Sequence, residues 1–152
     1  MDQPFHYRNK AQFPVGKSKD GRIITGFYAG RTHSIIENRD CALGVTRNKE
    51  VLDRVIAHME KFHIQPYDEN TGKGLVRHVL IRYGFFTDEM IVCLIINGEK
   101  LPSEEALVKS LRQIPETVSD RTRYHHPQAI LQYRDDAYPK FQGFHLRRVV
   151  FK

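Results

Sequence analysis

The hydrophobic and polar positions of the first forty residues read as strands, without clean alternation in the opening strip, and then the period changes. "HYRNKAQFPV" (6–15) and "RIITGFYAG" (22–30) read as strands joined through "GKSKDG", where Asp20-Gly21 is a strong hairpin signal. "HSIIE" (33–37) predicts a third, short strand before the polar stretch "NRDC". Helical spacing follows: Val51, Leu52, Val55, Ile56 and Met59 recur at threes and fours, with Asn48 as the expected N-cap. Pro66 and the loop "YDENTGKG" close that unit. "LVRHVLIRYG" (75–84) and "EMIVCLIING" (89–98), joined by "FFTD", predict a central hairpin. The second is apolar almost throughout, as a strand buried on both faces should be. Pro102 and Ser103 open a second helix, "SEEALVKSLRQI", with acids in its first turn and Leu107 and Leu111 on one face. This order predicts an α+β domain, a largely antiparallel sheet with two helices packed against it.

The pattern loses its regularity at Asp120. Residues 120–152 hold seven Lys or Arg against three Asp, and only "AILQYR" and "HLRRVVF" suggest short strands. The expected division is therefore a domain over 1–119 and an unplaced basic tail over 120–152.

Length and composition fit that picture. A chain of 152 residues with 40% hydrophobic and 28% charged residues is an ordinary single globular domain. No apolar run reaches a membrane span and no signal-peptide pattern opens the chain, so no membrane partner is expected. Two cysteines far apart do not make a disulfide scaffold, and a reducing cytoplasm is the natural location. A formal charge of +6 and a pI near 9.4 favour polyanion partners.

Catalytic signals are lacking. Cys41 sits in a polar loop where a thiol is either reactive, a metal ligand or a spacer; Cys93 lies inside "MIVCLIIN" and reads as core. Neither has a C-x-x-C partner. His58 and His63 fall on different helix faces. "TGKG" (71–74) lacks the upstream glycine of a phosphate loop, and no G-x-G-x-x-G opens a helix.

Basic and aromatic residues carry more. "FHYRNKAQFPVG" (5–16) gathers His6, Arg8 and Lys10 with Phe5, Tyr7 and Phe13. Arg22, Arg31, Arg77, His78 and Arg82 also fall in or beside predicted strands, as do Phe27 and Tyr28. A sheet face of cations with interleaved rings suits single-stranded nucleic acid, phosphates on cations and bases on rings. Composition fits equally a core of rings under an ordinary charged surface.

"YRNKAQFPVG", "GFYAGRTHSIIE" followed by the cysteine of "RDC", "GLVRHVLIRYG", "EMIVCLIINGEKLP" and "LVKSLRQIPETVS" resemble, in order, the central region of the bacterial RNA uracil-5-methyltransferases. The closest likeness is to those acting on 23S ribosomal RNA, over about residues 4–119. The resemblance implies a larger enzyme in which this region touches RNA between an oligonucleotide-binding barrel and an S-adenosylmethionine-binding catalytic domain. In that family a cysteine thiolate of the catalytic domain adds to C6 of a flipped-out uracil, making C5 nucleophilic toward the methyl donor. The nucleophile, the proton acceptor and the cofactor site match nothing in this chain, which is expected to be inactive alone. By position, Arg8, Asn9 and Lys10 match a strip facing RNA while Phe5 and Phe13 anchor inward, with Arg31, Arg77 and His78 as further RNA-binding candidates. Cys41 matches the fourth ligand of the family's iron-sulfur cluster, whose other three cysteines precede "YRNK". The likeness stops after "IPETVS", so the expectation is a truncated or frameshifted copy. The alternative is a stand-alone nucleic-acid-binding module without enzymatic activity.

Overall fold

The structure is a computed structural model that describes residues 4–114 and the backbone of 131–133 and 145–151. Among the described residues, seven strands and two helices run in the order β1 (Lys10–Lys17), β2 (Ile23–Tyr28), β3 (Ile35–Glu37), α1 (Arg47–Lys61), β4 (Val76–Gly84), β5 (Glu89–Ile96), α2 (Glu104–Leu111), β6 (Leu131–Tyr133) and β7 (His145–Phe151). They form one sheet of order β3-β2-β1-β4-β5-β7-β6, antiparallel at every pairing. This is the α+β fold expected from the sequence. The two tail segments with strand character are β6 and β7, and β7 pairs along the free edge of β5.

Alternation along the strands decides which residues meet the helices. Phe13 and Val15 of β1, Val79 and Ile81 of β4, and Met90, Val92, Leu94 and Ile96 of β5 share one buried cluster with α1 and α2. α1 supplies Val51, Leu52, Val55, Ile56 and Met59 to it, and α2 supplies Leu107 and Leu111. Each such side chain contributes about 1.5–3 kcal/mol on burial. Cys93 and Ile95, on the opposite face of β5, are buried too, as a central strand requires. Arg54 ties the helices together by donating to the Ser110 carbonyl at 2.7 Å. No helix among the described residues is long and apolar enough to cross a membrane.

Two expectations are corrected. Asn48 does not cap α1: Thr46 takes that place, with helical backbone angles and no side-chain cap, and Asn48 is buried in the first turn. Its amide Nδ2 lies so close to Gly44 that a Cβ there would sit 2.8 Å away. Asn48 thus fills space above a glycine instead of satisfying a helix end. Phe5, expected to anchor inward with Phe13, is 57% exposed; only Phe13 reaches the core. The opening strip leaves the sheet before Lys10, so strand alternation no longer steers the Phe5 side chain.

Candidate nucleic-acid interface

The chain from Phe5 to Lys10 lies against two neighbours. His6 and Arg8 donate their backbone N–H groups to the carbonyls of Ala42 and Leu43, each at 2.9 Å, and Arg8 bridges Gly44 in parallel. The His6 Nδ1 lies 2.8 Å from the Gly44 carbonyl oxygen. Asn9 faces β4, accepting at its carbonyl from the Tyr83 N–H at 2.7 Å. The main chain is therefore held, while the side chains of Arg8, Asn9 and Lys10 are exposed.

Lys10 pairs directly with Arg82 across the β1–β4 ladder, and both are exposed. Like charges placed opposite each other disfavour a strand pair by a few tenths of a kcal/mol, and an anion laid across them reverses the sign. Among the described residues neither cation, nor Arg8, has a carboxylate within ion-pair distance. Beyond Gly84 the turn Phe85–Asp88 brings two phenylalanines to the same end of the sheet, with Phe85 and Phe86 both exposed.

The other candidates gather elsewhere. Arg77 pairs with Glu69, which also meets His33 Nδ1 at 2.5 Å. Tyr28 stacks on His33 with ring centroids 5.2 Å apart, and its hydroxyl lies 3.3 Å from His78 Nε2. Arg77 also lies over the Tyr67 ring. His78 is buried, and desolvation, reinforced by the Arg77 charge, pushes its pKa down to about 4, so the ring is neutral at pH 7. The His33 hydrogen bond, helped by the Arg77 charge, holds the Glu69 carboxyl below the usual range. This clasp of ring, carboxylate and guanidinium joins the β2–β3 loop to β4. Arg31 is exposed in that loop at a left-handed φ of 64°. The structure thus groups Arg8, Asn9 and Lys10 with Arg82, and places Arg77 and His78 in a cluster with Glu69, His33 and Tyr28, where the Arg77 charge is paired and the buried His78 Nδ1 has no hydrogen-bond partner among the described residues.

Cys41 is half-buried in the loop that supports the strip. A four-cysteine cluster needs four thiolates. The chain has two cysteines, and Cys93 is buried in β5, so the residues present do not fit such a cluster. Among the described residues no three His, Cys, Asp or Glu side chains are placed to hold a metal. A cavity of about 510 Å³ on α2 is lined by Glu105, Val108, Lys109, Arg112 and Gln113. With one apolar side chain and no glycine-rich strand-to-helix turn, that lining does not fit S-adenosylmethionine either.

The chain is 38% identical over 111 residues to an uncharacterized RNA methyltransferase of Staphylococcus aureus, covering 73% of this chain and 24% of that protein. A Staphylococcus epidermidis RNA methyltransferase is 40% identical over 113 residues, covering 74% and 25%. The chain is a partial match to this RNA methyltransferase family. It spans about a quarter of the length of the curated relatives it matches. No family model matches the chain. Among solved structures, the Pyrococcus abyssi tRNA (uracil-54, C5)-methyltransferase in complex with S-adenosyl-L-homocysteine has a TM-score of 0.59 and 22% identity, covering 69% of this chain and 25% of that one. At that identity the likeness concerns the fold alone. Within this methyltransferase segment, the sequence pattern had missed Phe85 and Phe86, which read as a mere linker. The signal was their place: a hairpin turn ordinarily carries Gly, Asn or Asp, so two adjacent phenylalanines are out of character.

Proposed function

We propose that this segment is the RNA-holding part of an S-adenosylmethionine-dependent RNA uracil-C5 methyltransferase of the cytoplasm, with ribosomal RNA as its substrate. The observation that carries this is the exposed strip Arg8, Asn9 and Lys10, with Arg82 beside it and no described carboxylate in ion-pair reach, in a chain 38% identical to an RNA methyltransferase. Phosphate contacts of this kind fix where RNA lies but carry no sequence information, so the choice of uridine comes from elsewhere in the whole protein. The methyl donor also belongs to the rest of the protein, and no residue of this chain is assigned to it. The backbone bonds at His6, Arg8 and Asn9 keep the strip in one conformation, which lowers the entropy lost when RNA settles on it.

Equilibrium binding of the chain to a uridine-rich single-stranded RNA, measured across a salt series, tests the reading. Affinity should fall with log salt, and Arg8→Ala with Lys10→Ala should flatten the slope by about 1.4, roughly 0.7 per phosphate lost. Affinity indifferent to salt contradicts it.

A further inference from the structure

We infer that Phe86 is a base-stacking platform for an unpaired nucleotide whose flanking phosphates lie on Lys10 and Arg82, an inference that rests on the RNA reading above.

Phe86 is fully exposed, more so than any other large apolar residue described. An isolated exposed ring would mean little, but this one sits on a turn whose geometry is held from below. Asp88, at a left-handed φ of 53°, accepts from the Tyr83 hydroxyl and lies 3.3 Å from the Arg47 guanidinium. Arg47 in turn lies 5.5 Å over the Tyr83 ring. Phe85 meets that ring edge-on, with centroids 5.2 Å apart. The turn thus carries its own supports, and Phe86 is left fully exposed.

Its setting selects the occupant. Gly84, at the base of the turn, is two residues from Arg82, which pairs with Lys10; Asn9 pairs through its carbonyl with Tyr83. A ring held in water next to a like-charge pair of exposed cations complements a polyanion that also carries flat apolar faces. Unpaired RNA has both: phosphates for the cations and bases for the ring. An apolar protein surface would cover Phe86 but leave Lys10 and Arg82 uncompensated.

The chain has no tryptophan, so Phe86→Trp introduces a single fluorescent reporter at the tip. The probe is an oligouridylate of about ten nucleotides, within the roughly 4–16 that a single-strand groove accommodates. Phe86→Ala should weaken its binding roughly five- to a hundredfold with an unchanged salt slope, since stacking releases no counterions. Phe86→Trp should restore affinity, with its emission quenched as RNA is added. If Phe86→Ala binds like the parent and Phe86→Trp is not quenched, while Arg8→Ala with Lys10→Ala still weakens binding, the platform is refuted and the RNA reading stands. If the parent chain shows no salt-dependent binding, both fall. A blue shift of Phe86→Trp that grows with protein concentration and needs no RNA assigns the ring to a contact between copies and overturns the inference. Thermal unfolding of Phe86→Ala at the parent's temperature confirms that the fold is intact.

Discussion

Two regions of the segment carry the basic and aromatic residues that suggest nucleic acid, and they treat their charge in opposite ways. In the clasp, Glu69 faces both His33 and Arg77, Tyr67 lies under the guanidinium, and His78 is buried and neutral beside Tyr28. In the strip, Arg8 and Lys10 are exposed, Arg82 stands across from Lys10, and no described carboxylate answers them. Composition alone cannot separate the two, because both are basic and aromatic residues in or beside strands. Pairing can: charges that find partners within the fold hold loops in place, and charges left toward water by a fixed backbone are available to a ligand.

The largest effect that sharpens the contrast lies within the strip's own strand. Phe13 is fully buried three residues after Lys10, so Phe13→Ala should destabilise the fold by about 3–5 kcal/mol in urea unfolding. Arg8→Ala and Lys10→Ala should each stay within about 0.5 kcal/mol. A large loss of stability from either cation would move the strip into the structural class.

Next in size is the acid sensitivity of the clasp. Unfolded His78 takes its proton near its ordinary value of 6.5, whereas the folded ring resists it down to about 4. The unfolded state therefore binds more protons between those limits, and stability must fall as pH drops through that window. The loss is on the order of 2–3 kcal/mol. Urea midpoints at pH 7 and pH 4.5 measure it, and His78→Gln should remove most of the difference. An unchanged slope in the variant would assign the acid loss to other groups.

Glu69→Gln gives a smaller effect, about 1 kcal/mol or less, because its ion pairs are partly exposed. Its sign with pH is also set. The folded carboxyl titrates below its ordinary range, so its contribution is present above the unfolded value and lost as pH falls through the folded one. The variant should lose that increment in urea unfolding at pH 7 and match the parent at the acid end of the series.

How much of this was legible before folding differs from element to element. The α1 spacing, the β4–β5 hairpin and the two leucines of α2 follow from periodicity, and the structure has them where the pattern puts them. Asn48 and Phe5 went astray for related reasons. A cap and a pleat are local rules, while Gly44 leaves a space that Asn48 fills, and the 41–44 loop draws the chain off the sheet before Phe5. His78 and Arg82 show the same limit on one strand: both alternate onto one face, but Tyr28 reaches over the first and nothing described reaches over the second. Which charge is answered depends on partners up to 50 residues distant, and no window along the chain contains them.

The most direct measurement compares salt slopes for RNA binding by the parent, by Lys10→Ala with Arg82→Ala, and by Arg77→Ala. If the strip holds the anion, the double variant lowers the slope by about 1.4 and Arg77→Ala leaves it unchanged. A slope that falls with Arg77→Ala and stays put when Lys10 and Arg82 are lost would place the RNA on the clasp and contradict the account.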